Sequence, residues 1–377
     1  MALNNFTTLP HFFHQYPYDI INCNMTIAHN PTSMIGNRYE INRLVGTGGM
    51  SIVYKARDVV LDRDVAIKVL RQKYASTEDM RLRFQQEARA AAKLSHPNIV
   101  TVFDSGLDGT RIFIALQYIE GSNLKTHIQT RPSINMITEL DYGIQICRAI
   151  DHAHANKIIH CDIKPSNILL DESNQVKITD FGLARVMQQS DNFDNEFFWG
   201  SPYYVSPEQA KGEPPSIASD IYSCGIVLYQ LFTGYLPFTA ATVDELLQAH
   251  IQVTPQPPSE INPDIPDTLN SLILRCLEKD PRKRFRSFSQ LRDNLASVRH
   301  SLILSLTAEP IESKPNKLTL AESIRTANPP SSKHKYTLPE KTPKQFDWIS
   351  ILLGLLATIA VAGLIPFWIY VYFNVPG

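Results

Sequence analysis

Residues 158–170 read IIHCDIKPSNILL. Three polar side chains, Asp162, Lys164 and Asn167, stand in an otherwise apolar run. A carboxylate, an ammonium and an amide at that spacing are placed for chemistry. Asp162 suits orienting and deprotonating a hydroxyl, Lys164 neutralising a group in transfer, and Asn167 ligating a metal. Cys161, between His160 and Asp162, fits less obviously.

Upstream, LVGTGGMSIVY (44–54) sets Gly46, Gly48 and Gly49 between two strand-like runs. Such a turn lets backbone N–H groups approach a phosphate closely, although hairpins use glycine routinely. No G-K-[ST] follows and no helix opens there, so it is not a P-loop. Lys68 lies in the apolar strand VAIKVL, where a lysine is expensive to bury unless an anion meets it. Glu87, in FQQEARAAAKL, offers that anion from the following amphipathic segment. A snorkelling lysine and a surface glutamate are the plainer readings of the two. Downstream, KITDFGLA carries Asp180 between a short strand and a glycine turn, itself a common turn composition.

Composition narrows the class. The 377 residues are 44% hydrophobic, ample for a core, and leave room for one large domain or two ordinary ones. Net charge is -1, from 36 Lys+Arg and 37 Asp+Glu, so no basic excess points to a nucleic-acid partner. Cysteines 23, 147, 161, 224 and 276 lie far apart with no C-x-x-C pair, which suits a reducing cytoplasm.

Residues 38–75 read as strands, 78–94 as a helix with Leu82, Phe84, Ala88, Ala91 and Leu94 on its apolar face, and 99–104 and 111–118 as strands again. From about 134 helical patterns dominate. Residues 1–37 read as a flexible leader, or the natural start is Met25 or Met34. They are no secretory signal, having no Lys or Arg before Arg38. Residues 299–346, rich in Ser, Pro, Lys and Thr, read as a linker.

The run 348–373, WISILLGLLATIAVAGLIPFWIYVYF, has no charged residue and exceeds the about 20 residues a membrane helix needs. Trp348, Trp368, Tyr370 and Tyr372 flank it, and Lys333, Lys335, Lys341 and Lys344 precede it. That pattern predicts one C-terminal transmembrane helix in the cell (inner) membrane, with the bilayer as a partner and the bulk of the chain cytoplasmic. A hydrophobic helix packed on the domain is the alternative.

Glycine loop, strand lysine, helix glutamate, H-x-D-x-K-x-x-N, D-F-G and S-P-E occur here in that order, and most of them make up the protein-kinase signature. The chain resembles the eukaryotic-like serine/threonine protein kinases, most closely the bacterial membrane-bound group; GTGGMSIVYKARD and GSPYYVSPEQ are close to that group's style. The resemblance covers residues 38–298. It implies an α+β, two-lobed kinase fold, with a small β-rich N-lobe (38–118) and a larger helical C-lobe (121–298).

It also implies roles. ATP is covered by Leu44, Val45, Gly46, Thr47, Gly48, Gly49, Met50, Ser51, Ile52 and Val53. Lys68 holds the α- and β-phosphates and pairs with Glu87. Val53 and Ala66 pack on the adenine, and the backbone of Gln117 and Ile119, in LQYIEG, meets its edge. Asp162 is the catalytic base, with Lys164 beside it. Asn167 and Asp180 bind Mg²⁺, with Mn²⁺ as an alternative. Glu208 pairs with Arg284, and Asp220 bonds the catalytic-loop backbone. His160 is a core histidine. Substrates are proteins.

The departures carry information. Ser51 stands for a third glycine, and Ser206 for the alanine of A-P-E. Ser201 stands for a threonine that in relatives bridges the base aspartate and the loop lysine. Cys161 replaces the arginine of H-R-D, which in the family docks an activation-loop phosphate. Between Gly182 and Gly200 there is no threonine and one serine, Ser190. Phosphate there adds roughly -1.5 to -2 charge beside Asp191, Asp194 and Glu196, with no guanidinium to receive it. Loop phosphorylation is therefore not the expected on-switch. Cys161 reads as an inert, partly buried thiol. Three readings compete: an active kinase, a membrane-attached pseudokinase scaffold, and a small-molecule kinase of related fold. Control is expected from the cytoplasm, the leader, the linker or homodimerisation in the membrane.

Overall fold

The computed structural model describes residues 34–181, 185–186 and 201–307. All of these lie in the first of two units, 1–311, while the second, 312–377, falls outside the described residues. The leader up to 33, Ser190 and its surroundings, the linker beyond 307 and the apolar run 348–373 therefore lie outside too. Among the described residues no helix is long and apolar enough to cross a membrane.

Period-two alternation builds the first lobe. Strands β1 (Met34–Ile35), β2 (Tyr39–Thr47), β3 (Ser51–Asp58) and β4 (Arg63–Leu70) follow one another. Helices α1 (Gln72–Ala75) and α2 (Glu78–Ala91) come next, then β5 (Val102–Asp108) and β6 (Arg111–Gln117). The six strands form one antiparallel sheet ordered β1-β2-β3-β4-β6-β5. Val65, Ile67 and Val69 of β4 point to one face and join Tyr39, Ala56, Phe113 and Ala115. The alternate residues, Lys68 and Leu70, face the other way, where Leu70 packs with Phe84 and Ala88 of α2. A lysine in β4 thus meets α2 because of the pleat alone.

Helix α2 corrects one expectation. Leu82 is 48% exposed, while Ala90 is buried. The buried stripe runs Phe84, Ala88, Ala91, at i, i+4, i+7, and Leu82 sits two residues off it. Leu94 is buried beyond the helix end.

The second lobe opens with β7 (Gly121–Asn123) and with α3 (Leu124–Thr130) and α4 (Met136–Ala155), capped by Asn123 and Asn135. Short strands β8 (Ile158–Ile159), β9 (Ile168–Asp171), β10 (Val176–Ile178) and β11 (Arg185–Val186) carry the loops between them. Then come α5 (Pro207–Ala210), α6 (Ile217–Thr233), α7 (Val243–Gln252), α8 (Pro258–Ile261), α9 (Asp267–Cys276) and α10 (Phe288–Thr307). Helix α6 is apolar nearly all round and is accordingly buried along its length. It comes so near α9 that a β carbon on Gly225 would stand 2.5 Å from that of Cys276. The lobes are stitched by main-chain bonds from Val100 N–H to Ile178 O (2.9 Å) and from Ile178 N–H to Asn98 O (2.8 Å). Helix α10 continues to Thr307, beyond the boundary at 298 expected from sequence, and Arg299 on that extension pairs with Asp141 at 2.6 Å.

Candidate active site

Lys68 reaches off β4 to Glu87 Oε1 on α2 at 2.6 Å and to Asp180 Oδ1, after β10, at 2.9 Å. One ammonium thereby joins strand, helix and second lobe. Burial pushes its pKa down, but the carboxylates of Asp180 and Glu87 outweigh that and hold it above the ordinary lysine value. Burial raises Glu87 against the pull of Lys68. For Asp180 burial also pushes upward, but the Lys68 ammonium wins and its pKa falls below the usual carboxylate range. Asp180 thus favours its charged form, and its carboxylate suits a further cation beside Lys68.

The loop between β8 and β9 folds onto a single carboxylate. Lys164 Nζ lies 2.6 Å from Asp162 Oδ2. A short 3₁₀ turn at Pro165–Asn167 swings the Asn167 amide back, so that Nδ2 donates to Asp162 O at 3.0 Å and to Oδ2 at 3.1 Å. Among the described residues no hydrogen bond falls on Asp162 Oδ1. The three polar residues that stood apart in the sequence thus meet, and Asn167 Oδ1 and the free edge of Asp180 are oxygen donors of the kind a hard divalent cation takes.

His160 is fully buried, and burial pushes its pKa down. Its Nδ1 accepts the Asp162 N–H at 3.2 Å, and Nε2 lies 3.2 Å from Thr179 O. A neutral ring protonated on Nε2 satisfies both, so His160 holds the loop's main chain. Asp220 of α6, 1% exposed, accepts from His160 N–H (2.8 Å), Cys161 N–H (2.9 Å) and His154 Nε2 (2.7 Å). His154 was not foreseen; it lies on the inner side of α4 six residues before His160, where a histidine reads as ordinary core.

The glycine loop joins β2 to β3. Gly48 N–H donates to Ser51 O at 2.8 Å, and Arg71 Nε donates to Gly48 O at 3.0 Å. Leu44, Val45 and Met50 are exposed. A β carbon on Gly46 or Gly49 would meet nothing within 4 Å, so packing within the protein does not demand glycine there. Val53 pairs in register with Lys68, and Ala66 with Leu116, which puts Val53 and Ala66 on the same face as the lysine. Gln117 gives its N–H to Thr101 O at 2.8 Å.

Further out, Glu208 and Arg284 form a two-pronged pair at 2.7 and 2.9 Å. The other Arg284 donors go to the carbonyls of Ala218, Glu278 and Lys279, and Ser219 Oγ donates to Glu208 Oε1 at 2.8 Å. Burial works against the Glu208 charge, yet Arg284 keeps its pKa low. Ser206 caps α5 through a reciprocal box with Gln209. Among the described residues no hydrogen bond joins Ser201 to Asp162 or Lys164.

Comparison with known proteins gives this geometry its context. Residues 39–295 match the protein kinase domain family. A probable serine/threonine-protein kinase of Clostridium acetobutylicum is 41% identical over 271 residues, covering 72% of this chain and 41% of that protein. The serine/threonine-protein kinase PrkC of Bacillus subtilis is 39% identical over 264 residues, 70% of this chain and 41% of its own length. PknB of Mycobacterium tuberculosis is 37% identical over 296 residues, 77% and 46% respectively. The chain therefore spans less than half the length of these relatives. With the family matched over more than half its length, the chain belongs to the protein kinases, in their eukaryotic-like bacterial serine/threonine branch.

Proposed function

We propose that this chain transfers the γ-phosphoryl group of ATP to serine and threonine hydroxyls of protein substrates. The observation that carries the reading is the Lys68 ammonium held between Glu87 and Asp180, because a scaffold has no chemical need of that arrangement. Phosphoryl transfer is mostly positioning and electrostatics. The hydroxyl oxygen attacks the γ-phosphorus as the bond to the bridging oxygen of ADP breaks, and the hydroxyl proton passes to Asp162. Oδ2 of that residue is held by Lys164 and Asn167, which leaves Oδ1 to the substrate. Lys164 then offsets charge on the phosphoryl group in flight, and Lys68 on the α- and β-phosphates. The open space at Gly46 and Gly49 suits close approach of those phosphates to the loop.

Asn167 and Asp180 would hold Mg²⁺, or Mn²⁺, and their oxygen donors fit it. When bound there the ion neutralises phosphate charge. Gln117 and Ile119 are read as the adenine-facing backbone, Val53 and Ala66 as its apolar walls. The Glu208–Arg284 pair and Asp220 brace the platform for a protein substrate.

We further read 348–373 as a single membrane span with the kinase domain on the cytoplasmic side. Fractionation and protease protection of the full chain test it: kinase domain found in the soluble fraction would rule it out. For the activity, Mg·ATP and a basic protein are incubated with the chain and with Asp162→Asn. Transfer is expected to fall about 10²–10⁴-fold in the variant. Equal transfer by both, or none by either, would favour the scaffold reading.

A further inference from the structure

Arg43 and Lys55 are direct cross-strand partners in the β2–β3 ladder. Like charges placed opposite one another weaken a sheet, so the pairing calls for a compensating contact. Both side chains converge on Tyr118, the residue that follows β6. The Lys55 ammonium lies 4.4 Å from the centre of the Tyr118 ring, and Arg43 Nη2 donates to the Tyr118 hydroxyl at 2.9 Å. Lys55 is steadied by Asp64 Oδ2 of β4 at 2.9 Å and by Glu120 Oε2 at 3.4 Å.

The backbone around this contact is its weak point. Among the described residues strand β1 covers β2 only at Tyr39 and Glu40, and from Ile41 onward no described strand pairs with the outer side of β2. The β2–β3 register also slips twice, between Ile41 and Arg43 and between Leu44 and Gly46. Arg43 sits between the two slips, where a hairpin bends most readily. Beyond them lies the glycine loop. Tyr118 stands between Gln117 and Ile119, the two residues read as the adenine-facing backbone.

We propose that Arg43 and Lys55 clamp Tyr118 from the face and the hydroxyl, and that this clamp positions the β2–β3 hairpin over the nucleotide. The inference rests on the kinase reading. It makes Arg43, Lys55 and Tyr118 positioning residues for ATP, with no contact to the transferred group. A cation over an aromatic face and a hydrogen bond to its hydroxyl are each modest at a partly exposed site, so their joint loss corresponds to about a five-fold change in affinity.

The test uses the full chain with Lys55→Met, Tyr118→Leu, Tyr118→Phe and the Lys55→Met/Tyr118→Leu pair. Dissociation of a fluorescent ATP analogue, KM for ATP, KM for the protein substrate, kcat and Tm are measured. Tyr118→Leu is expected to raise the analogue's Kd and the KM for ATP about five-fold, with the protein KM unchanged. Tyr118→Phe should fall between, and the double variant should add little to Tyr118→Leu, since the two residues share one contact. Unchanged nucleotide affinity, additive single effects, or a fall in Tm alone would overturn the clamp. Absence of phosphate transfer by the unsubstituted chain, with the affinity shifts intact, would defeat the kinase reading and leave the clamp standing. Neither binding nor transfer by that chain would overturn both.

Discussion

Asp220 Oδ1 accepts the main-chain N–H of Cys161 at 2.9 Å, and Cys161 is held there at a φ of 68°. A β carbon in that left-handed region costs about 1–2 kcal/mol, so the bond maintains a backbone the residue would otherwise leave. Oδ2 of the same carboxylate takes His160 N–H and His154 Nε2. Asp220→Ala strands three donors in a buried site and is expected to cost about 3–5 kcal/mol. Cys161→Gly relieves the strain and is expected to stabilise by up to about 1 kcal/mol. Urea unfolding measures both; an Asp220→Ala loss under about 1 kcal/mol would contradict the hub.

Lys68→Met removes the one cation between Glu87 and Asp180. The two carboxylates then face each other, the pKa of Glu87 rises further, and α2 loses its tie to β4. Phosphate transfer should fall about 10²–10³-fold, as for loss of one preorganised electrostatic group. Initial rates with Mg·ATP check this. A variant retaining most of the wild-type rate would remove Lys68 from the mechanism.

Sequence reading succeeded where separate motifs combined. A lysine in VAIKVL and a glutamate in FQQEARAAAKL each had a plainer surface reading, and the resemblance alone joined them; the pleat of β4 and the inner face of α2 bring them to 2.6 Å. Three polar residues in IIHCDIKPSNILL demanded a common purpose, and they meet at Asp162 Oδ2. It failed where only three-dimensional register decides. Leu82 looked like core because leucines usually are, yet it lies off the Phe84–Ala88–Ala91 stripe. His154 carried no local sign of its bond to Asp220, which lies 66 residues away. The pairing of Arg43 with Lys55 depends on a slip in the ladder that alternation cannot reveal. Helix α10 runs on to Thr307 past the expected linker start at 299, because the periodicity of RHSLILSLT (299–307) is too weak to mark a helix by itself.

Ser206, which stands for the alanine of A-P-E, has a role. Its hydroxyl accepts the Gln209 N–H at 3.3 Å while its own main-chain N–H donates to Gln209 Oε1 at 3.3 Å, closing a capping box on α5, and the hydroxyl also donates to Oε1 at 2.9 Å. Ser206→Ala is expected to cost about 1 kcal/mol, read by thermal unfolding. An unchanged Tm would show that α5 is held by the adjoining Glu208–Arg284 pair alone.

Loop phosphorylation gives a sharper test. Cys161, 9% exposed, stands where the H-R-D motif carries arginine; if that arginine's place is the one that would receive a loop phosphate, as the resemblance implies, a charge-assisted bond of about 1.5–3 kcal/mol has no donor here. Ser190→Ala is expected to retain activity within about two-fold, a difference of under 1 kcal/mol. A large loss, rescued by Ser190→Asp, would restore loop phosphorylation as the switch.

Acid should destabilise the second lobe through His250. The imidazole is fully buried beneath Tyr222 and Phe238, its Nδ1 3.1 Å from the Tyr222 hydroxyl. Burial and the Lys279 ammonium push its pKa down to about 4. Lys279 donates to His250 O at 2.8 Å, and burial lowers its own pKa to about 8, so it stays largely charged at neutral pH and opposes a second positive charge. The unfolded chain protonates this histidine near its ordinary value of about 6.5. Between the two values the unfolded state binds more protons, so the stability contribution is whole above about 6.5 and is lost as pH falls toward 4. The slope contributed approaches about 1.4 kcal/mol per pH unit inside that window. His250→Gln keeps a hydrogen-bonding group but cannot titrate. It should be less stable than wild type at neutral pH through poorer packing, and its stability should fall less steeply between pH 6.5 and 4. Urea unfolding across that range checks it; parallel pH profiles for the two proteins would assign the acid sensitivity to other groups.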